Sequence, residues 1–379
     1  MRIFENTNID FLGKRKFFYF LSGTLFLIGL VNVIFRGFQF GIDFKGGSEF
    51  VLEFQNPITV GQLRPSIEKI GLGNIELKSY GAANSIIVRT ELQSVPKNLY
   101  PGIIKYINNQ IETIYPGVPY KIVDSTAKSV TYEFANPDTT NAMVDKLFRL
   151  GFQTSKTAAD LTNTKVNISI GISDLIKINL KEMVKENPFK ILKEDQVGPK
   201  VGGELKRNAV IAIFFSLVMI LIYLGFRFKF IFAAGAVVAL FHDVLITLGL
   251  YATLYGLIPG LNLEIDLTTV AAFLTLIGYS NNDTVIVFDR VREMMKVHKN
   301  MPMGEVINLA VNKTLSRTLI TSGTTLLTTF VLLIFGGEVI RAFAFTMFFG
   351  VITGTYSSIF VASSLVYEYS IKTKKKLQF

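Results

Sequence analysis

Long apolar runs alternate with short polar segments over most of this chain, and one large polar region interrupts them near the start. A helix needs about 20 predominantly apolar residues to cross the hydrocarbon core of a bilayer. The pattern therefore predicts a polytopic α-helical membrane protein with six transmembrane helices. The predicted spans are Phe17–Phe35, Ala209–Phe226, Phe230–Tyr251, Leu267–Phe288, Leu319–Phe335 and Phe343–Val366.

The polar region between the first two spans contains an internal repeat. Residues 50–57 read FVLEFQNP and residues 130–137 read VTYEFANP. In each copy an alternating strand pattern ends in Asn-Pro, which is typical of a turn. A helical pattern, a second strand and a second helix then follow, so both copies have a βαβα order.

This repeat favours a large extracytoplasmic α+β region made of two ferredoxin-like units, residues 37–127 and 128–207. Closing strands are predicted near 120–123 and 189–192, each completing the unit in which it lies. One larger α+β domain, in which the similarity arises by chance, stays open as the alternative.

Two glycine-rich motifs flank the polar region, GIDFKGG after the first span and VGPKVGGEL before the second. Glycine allows tight turns where a chain leaves a membrane and enters a strand. Neither motif has the spacing of a phosphate-binding loop. The predicted hinge and membrane-junction residues are Gly46, Gly47, Gly198, Pro199 and Gly202.

Asp283 lies late in an otherwise apolar run, where a carboxylate costs about 2.5–3.5 kcal/mol on insertion scales. On a helix, Tyr279 and Ser280 precede it by four and three residues and share its face, and Asn282 widens the polar surface. A phenol, a hydroxyl and a carboxylate in this arrangement predict a proton relay. The alternative is a structural polar cluster that holds helices together.

Arg317 begins the fifth predicted span, and threonines follow it on one helix face. Arginine at this position can pair with a carboxylate, so Arg317 is a second candidate for the proton relay. The alternative is an arginine that extends toward the cytoplasmic surface, with threonines that pack against a neighbouring helix.

His242 and Asp243 form an intramembrane polar pair near the middle of the third span. Histidine changes charge near neutral pH, and a neighbouring carboxylate can orient its ring. Structural and functional interpretations of this pair both stay open. Asp243 and Asp283 do not lie in a Gly-x-Gly-Asp sequence, and the chain has no Gly-x-Ser-x-Gly or nucleotide motif, so we expect no enzyme activity.

Composition agrees with a membrane protein, since 50% of the residues are hydrophobic and only 18% are charged. Basic residues flank the apolar runs, so topology explains the net charge of +10 and no nucleic-acid partner is expected. With six spans, four basic groups lie on one side, which predicts cytoplasmic termini. The absence of cysteine, together with only two histidines, excludes a zinc-type Cys/His site, and no metal or cofactor is predicted.

These predictions divide the chain into five segments. The cytoplasmic N-terminus with the first helix is followed by two extracytoplasmic units, then by the remaining five helices and a basic tail. The predicted boundaries are 1–36, 37–127, 128–207, 208–370 and 371–379.

Several of these motifs together resemble the SecF family of protein-export membrane proteins, in the SecD/SecF group of the RND superfamily. Two departures are visible: Asn281 replaces an apolar residue usual in the family, and the extracytoplasmic region is longer than a single small domain. The motifs that carry the resemblance are GIDFKGG, VGP with Gly202, His242-Asp243, the run Gly278–Glu293, and Arg317-Thr318 leading to Thr321-Ser322.

The resemblance implies half of an RND-type transporter in the bacterial inner membrane, with SecD supplying the other six spans. It also implies association with the SecYEG channel, with YajC and YidC, with preprotein chains and with membrane lipid. By the same resemblance, Asp283 corresponds to a proton-pathway aspartate and Arg317 to an arginine implicated in that pathway.

The leading hypothesis is therefore an accessory subunit of the Sec translocase that uses the proton-motive force with SecD to promote late translocation and release of preproteins. One alternative is half of an RND-type exporter of small molecules or lipids. Another is a scaffold that assembles the translocon without transporting anything.

Overall fold

Strands occur only between residues 47 and 197 of the described chain, where they alternate with helices. The computed structural model describes residues 7–126, 128–157, 163–258 and 261–373, without the side chain of Glu182. The helices are α1 Arg15–Arg36, α2 Ile42–Lys45, α3 Val60–Glu68, α4 Tyr100–Ile114, α5 Pro137–Arg149, α6 Ile172–Met183, α7 Pro199–Arg227, α8 Phe230–Leu254, α9 Leu267–Val297, α10 Met303–Phe335, α11 Gly337–Ser357 and α12 Ser363–Thr373. The strands are β1 Gly47–Phe54, β2 Ile75–Tyr80, β3 Ala82–Thr90, β4 Tyr120–Ser125, β5 Ser129–Phe134, β6 Gln153–Lys156, β7 Lys165–Ser169 and β8 Phe189–Val197.

Contacts divide the chain into a helical unit, Met1–Phe44 with Gly203–Phe379, and a strand-containing unit, Lys45–Gly202. In the helical unit α9 packs against α8, α10 and α11, and α1 packs against α8. A π-helical turn, Ser358–Ala362, joins α11 to α12. The tail residues Lys374–Lys376 lie outside the described residues.

Within the described residues, five helices are long and apolar enough to cross a membrane, and each contains most of one predicted span. α9 coincides with the remaining predicted span but is not one of the five, because Asn281, Asn282 and Asp283 interrupt its apolar run. Six spans therefore stay a prediction. The five are Leu12–Arg36, Pro199–Arg227, Phe230–Leu254, Met303–Phe335 and Gly337–Thr373.

The N-terminus of α9 is held by two carboxylates. Asp266 Oδ1 accepts a hydrogen bond from Thr269 N at 2.7 Å, and Asp43 Oδ2 accepts one from Leu267 N at 3.0 Å. Carboxylates in these positions satisfy free N–H groups and interact favourably with the helix dipole. Because Asp43 belongs to the GIDFKGG motif, this motif fixes the start of the helix that carries Asp283.

The strand-containing unit has two four-stranded sheets, ordered β2-β3-β1-β8 and β4-β5-β7-β6. Within each repeat the first and third strands pair antiparallel, β1 with β3 and β5 with β7. The closing strands are exchanged: β8, which ends the second repeat, pairs with β1, whereas β4, which ends the first repeat, pairs with β5.

The sequence prediction gave each unit one closing strand but no exchange between them, and its boundary at 127/128 stays a prediction. The third strand of the same repeat covers one edge of β1 and of β5, and the closing strand of the other repeat covers the second edge. The predicted βαβα order also missed the second strand of each repeat, which is β2 in the first repeat and β6 in the second. The assignment of ferredoxin-like units stays a prediction.

One hydrophobic core serves both sheets. Phe50 and Leu52 of β1 lie in the same buried cluster as Val130 and Tyr132 of β5, and all four are at most 1% exposed. Helices of the two repeats contact one another, α3 with α6 and α4 with α5 and α6. The repeats are therefore joined both by exchanged strands and by shared core residues.

We expect a fragment comprising residues 45–202 to fold alone and a fragment comprising residues 48–124 to be much less stable. The shorter fragment removes β8 from the edge of β1 and leaves β4 without β5, and each lost strand exposes core surface that stabilises the fold. Thermal unfolding followed by circular dichroism measures the difference. Equal melting temperatures would show that the strand exchange contributes little to stability.

Candidate functional site

Asp283 is buried inside the helical unit, with 2% of its surface exposed. Its Oδ2 accepts a hydrogen bond from Ser322 Oγ of α10 at 3.0 Å, and Ser322 Oγ in turn accepts one from Thr355 Oγ1 of α11 at 2.8 Å. This chain of groups joins α9, α10 and α11. A buried carboxylate without a cationic hydrogen-bond partner is suited to taking up and releasing a proton.

The other residues predicted for the relay are divided between the two sides of α9. The Tyr279 hydroxyl lies 3.1 Å from Thr321 O and 2.9 Å from Thr325 Oγ1, so it faces α10 as Asp283 does. Ser280 is buried, but its hydroxyl donates to Asp243 of α8 at 2.6 Å. The side chain of Asn282 is exposed.

Arg317 is exposed on α10, the helix that also carries Ser322. No ion pair within 4.0 Å joins Arg317 to Asp283 in the described part of the chain. The threonine row after Arg317 bonds along its own helix, since Thr321 Oγ1 donates to Arg317 O and Thr328 Oγ1 to Thr324 O. In this conformation Arg317 is therefore a nearby charge and not a direct partner of Asp283.

Asp243 is the centre of a second polar cluster and is 1% exposed. Its Oδ1 lies 3.0 Å from His242 Nδ1, and its Oδ2 accepts hydrogen bonds from Ser280 Oγ at 2.6 Å and Ser357 Oγ at 2.8 Å. The cluster joins α8, α9 and α11. Three hydrogen-bond partners of this kind can hold an ionised carboxylate inside an apolar bundle.

His242 connects this buried cluster to the edge of the bundle. Its Nε2 lies 3.0 Å from Ser22 Oγ of α1 and 2.9 Å from Tyr356 OH of α11, and Ser22 and Tyr356 also bond to each other. The side chain of His242 is 15% exposed. Asp243 is therefore linked through one imidazole ring to two partly exposed hydroxyl groups.

Close packing of α11 on α9 makes this arrangement possible. A Cβ atom on Gly354 would lie 2.7 Å from Ser280 Oγ and 3.5 Å from Asp243 Oδ2. A Cβ atom on Gly350 would overlap the side chain of Leu276. A side chain at position 354 would displace the Ser280 hydroxyl, and glycine at both positions lets α11 pack closely against α9.

The predicted junction residues lie in the strand-containing unit. Gly46 has φ +75°, and a Cβ atom there would lie 2.9 Å from Pro199 Cα, while Gly47 has φ +115° and its Cβ would overlap Thr90 O. Pro199 begins α7, and Gly202 N donates to Gly198 O at 2.9 Å in its first turn. The two motifs thus meet at the entry and exit of this unit, and their role as a hinge stays a prediction.

Sequence reasoning missed Ser22, Ser357, Thr355 and Tyr356 as members of the polar clusters. Each is a hydroxyl-bearing residue within an apolar helix, where such residues commonly bond to their own backbone. Only the packing of helices far apart in sequence reveals their partners. Ser322 belongs to the Thr321-Ser322 segment of the family motif, but the sequence did not reveal its link to Asp283.

Together the fold and these clusters define a multi-pass membrane protein with ionisable groups buried between its helices. The family described as protein export membrane protein SecD/SecF, C-terminal, matches residues 176–372, and the SecD/SecF GG motif matches residues 33–58. The chain belongs to the SecF family of protein translocase subunits.

Relatives with the name protein translocase subunit SecF match nearly the whole chain. The Rhodothermus marinus protein is 39% identical over 368 residues, covering 97% of this chain and 95% of the relative. The Calditerrivibrio nitroreducens protein is 36% identical over 365 residues, covering 96% of this chain and 94% of the relative.

Two solved structures of SecDF have a similar fold. A crystal structure of SecDF in its super-membrane-facing form matches with a TM-score of 0.57 and 28% identity, covering 98% of this chain. SecDF from Thermus thermophilus, described as a translocon-associated membrane protein, matches with a TM-score of 0.64 and 27% identity, covering 97%. The chain spans about 40% of these longer SecDF chains.

Proposed function

We propose that this chain is an accessory subunit of the Sec translocase that works with SecD and uses the proton-motive force to promote late preprotein translocation and release outside the membrane. Membership of the SecF family supports the translocase assignment. The observation that carries the proton-driven part is Asp283, a carboxylate buried between helices with a hydroxyl and not a cation as its hydrogen-bond partner.

In this proposal α9 also crosses the membrane and is the fourth of six transmembrane helices. It is 31 residues long, which at 1.5 Å per residue exceeds the roughly 30 Å of a hydrocarbon core. The side chains of Tyr279, Ser280 and Asp283 bond to neighbouring helices. The basic residues then place both termini in the cytoplasm of a bacterial cell and the unit Lys45–Gly202 in the periplasm. We expect no enzymatic activity and no cofactor.

Asp283 takes up a proton from one side of the membrane and releases it to the other as α9 and α10 change their packing. When the carboxyl group is protonated it can donate to the Ser322 oxygen, whereas the ionised group accepts from Ser322, so each proton transfer reverses one hydrogen bond between these helices. Arg317, a cation on the helix that carries Ser322, is proposed to bias the charge state of Asp283 as this packing changes.

In this proposal SecD supplies the other six spans and the remaining relay carboxylate, which agrees with a chain that spans about 40% of a SecDF chain. We infer that the pair associates with the SecYEG channel, and with YajC and YidC. The unit Lys45–Gly202 contacts preprotein chains and transmits movement through the Gly46-Gly47 and Gly198–Gly202 junctions.

Preprotein export in cells depleted of their own SecF tests the assignment. This chain, supplied with its matching SecD, is expected to restore export, whereas SecD alone is not. Immunoblotting of isolated membranes confirms that both proteins are present. Failure of the pair to restore export, with both proteins in the membrane, would favour an RND-type exporter of a different substrate.

A further inference from the structure

Two carboxylates hold α9 from opposite sides. On the α8 side Asp243 accepts a hydrogen bond from Ser280 of α9, and on the α10 side Asp283 of α9 accepts one from Ser322. Ser280 and Asp283 are three residues apart on one helix. The proposed relay uses only the second of these contacts, so the cluster around Asp243 has no role in it.

We propose that Asp243, together with His242, is a second proton-binding site of the helical unit, and that its charge state sets how firmly α8 and α11 hold α9. The inference extends the proposed function, because α9 is the helix that carries Asp283. The site has its own connection to the edge of the bundle and does not need Asp283 to receive a proton.

The proton reaches Asp243 through the imidazole ring. Ser22 Oγ and Tyr356 OH both lie within hydrogen-bond distance of His242 Nε2, and His242 Nδ1 lies 3.0 Å from Asp243 Oδ1. A proton delivered to Nε2 releases the proton on Nδ1 to Oδ1, so one N–H bond forms as another breaks and the ring ends neutral in its other tautomer.

Protonation changes the hydrogen bonds that Asp243 can accept. The ionised carboxylate accepts from His242, Ser280 and Ser357 at once. A protonated carboxyl group must itself donate through one oxygen and is a weaker acceptor at both. Neutral Asp243 therefore holds Ser280 of α9 and Ser357 of α11 less firmly than ionised Asp243 does.

The surroundings of Asp243 are known for each helix that bonds to it. Its own helix presents His242, α11 presents Tyr356 and Ser357, α1 presents Ser22 through the histidine, and α9 presents Ser280 with Asp283 further along. The titratable groups are thus His242, Tyr356 and Asp283. No lysine or arginine forms an ion pair with Asp243 among the residues described.

A π-helical turn follows immediately after this cluster. Ser357 is the last residue of α11, and Ser358–Ala362 form the turn. Ser363 Oγ, at the start of α12, donates to Ser358 O at 2.9 Å. Such turns are frequent at functional sites and interrupt the regular helical hydrogen bonds. They give α11 a point at which it can adjust when Ser357 is released.

The chain contains no cysteine, so a pair of spin labels can be placed on two exposed positions, Val238→Cys on α8 and Thr275→Cys on α9. The distance between the labels is measured in the full-length chain in lipid vesicles as a function of pH. On acidification we expect the distance between the labels on α8 and α9 to increase, or the distribution of that distance to broaden. Asp243→Asn should abolish this transition, and Asp283→Asn should retain it.

Ser357→Ala provides a second, conservative test. It removes one hydrogen bond to the ionised carboxylate, so the midpoint of the transition should move to higher pH by about one unit. No transition in the parent chain, a transition unaffected by Asp243→Asn, or a midpoint unaffected by Ser357→Ala would each overturn the proposal. Because the labels report helix movement without export, these outcomes are independent of whether Asp283 drives translocation.

Discussion

Replacing Asp283 by Asn is expected to reduce preprotein export to the level seen without a proton gradient. The amide keeps the shape of the side chain, and its oxygen can still accept the hydrogen bond from Ser322 Oγ. It cannot bind and release a proton at physiological pH. The variant therefore removes the proposed relay while leaving the contact between α9 and α10.

The measurement is preprotein export into inverted membrane vesicles with and without a proton gradient. It separates the gradient-dependent component of the export rate from the gradient-independent component. Asp283→Glu, which keeps a carboxyl group, should retain part of the gradient-dependent component. Thr275→Ala, on the exposed side of the same helix, is the matched control and should behave as the parent chain does. Full gradient dependence in Asp283→Asn would reduce Asp283 to a structural role.

Replacing Gly29 by Leu is expected to separate α1 from α8 and to destabilise the helical unit. A Cβ atom on Gly29 would lie 2.7 Å from Gly249 Cα, so these two glycines allow backbone contact between the helices. Overpacking of this kind typically costs about 1–3 kcal/mol. Moving α1 would also break the contact between Ser22 and His242.

Gly23→Leu is the matched control, because Gly23 lies on the same helix and a Cβ atom there meets nothing within 4 Å. Both variants add the same side chain to α1, so hydropathy and helix propensity change equally. Thermal unfolding in detergent should show a lower midpoint for Gly29→Leu than for Gly23→Leu. Equal midpoints would mean that the contact between Gly29 and Gly249 does not limit stability.

Much of the helical architecture was predictable from local pattern. Apolar runs of sufficient length gave five helices that the structure has, because a transmembrane helix satisfies its own backbone hydrogen bonds and needs no distant partner to be recognised. Asp283 was also identified from local sequence, since one carboxylate in an apolar run is visible without knowledge of the fold. The second helix predicted for the first repeat is present as α4, Tyr100–Ile114.

The contacts between helices were not predictable in the same way. The spacing of Ser280 and Asp283 indicated a shared face. Three residues turn a helix by about 300°, so the two side chains point about 60° apart around the helix axis. This angle is enough to direct Ser280 to α8 and Asp283 to α10. The exchange of β4 and β8 was also hidden. Strand patterns show which face of a strand is buried but not which edge it pairs with.

The strand exchange has a consequence for the order in which the unit Lys45–Gly202 can fold during synthesis. β1 is made first, yet its second edge is covered only by β8, the last strand to leave the ribosome. Until then one edge of β1 is open, and open edges readily pair with other chains. The first sheet is therefore completed only after the second repeat has been made, immediately before α7.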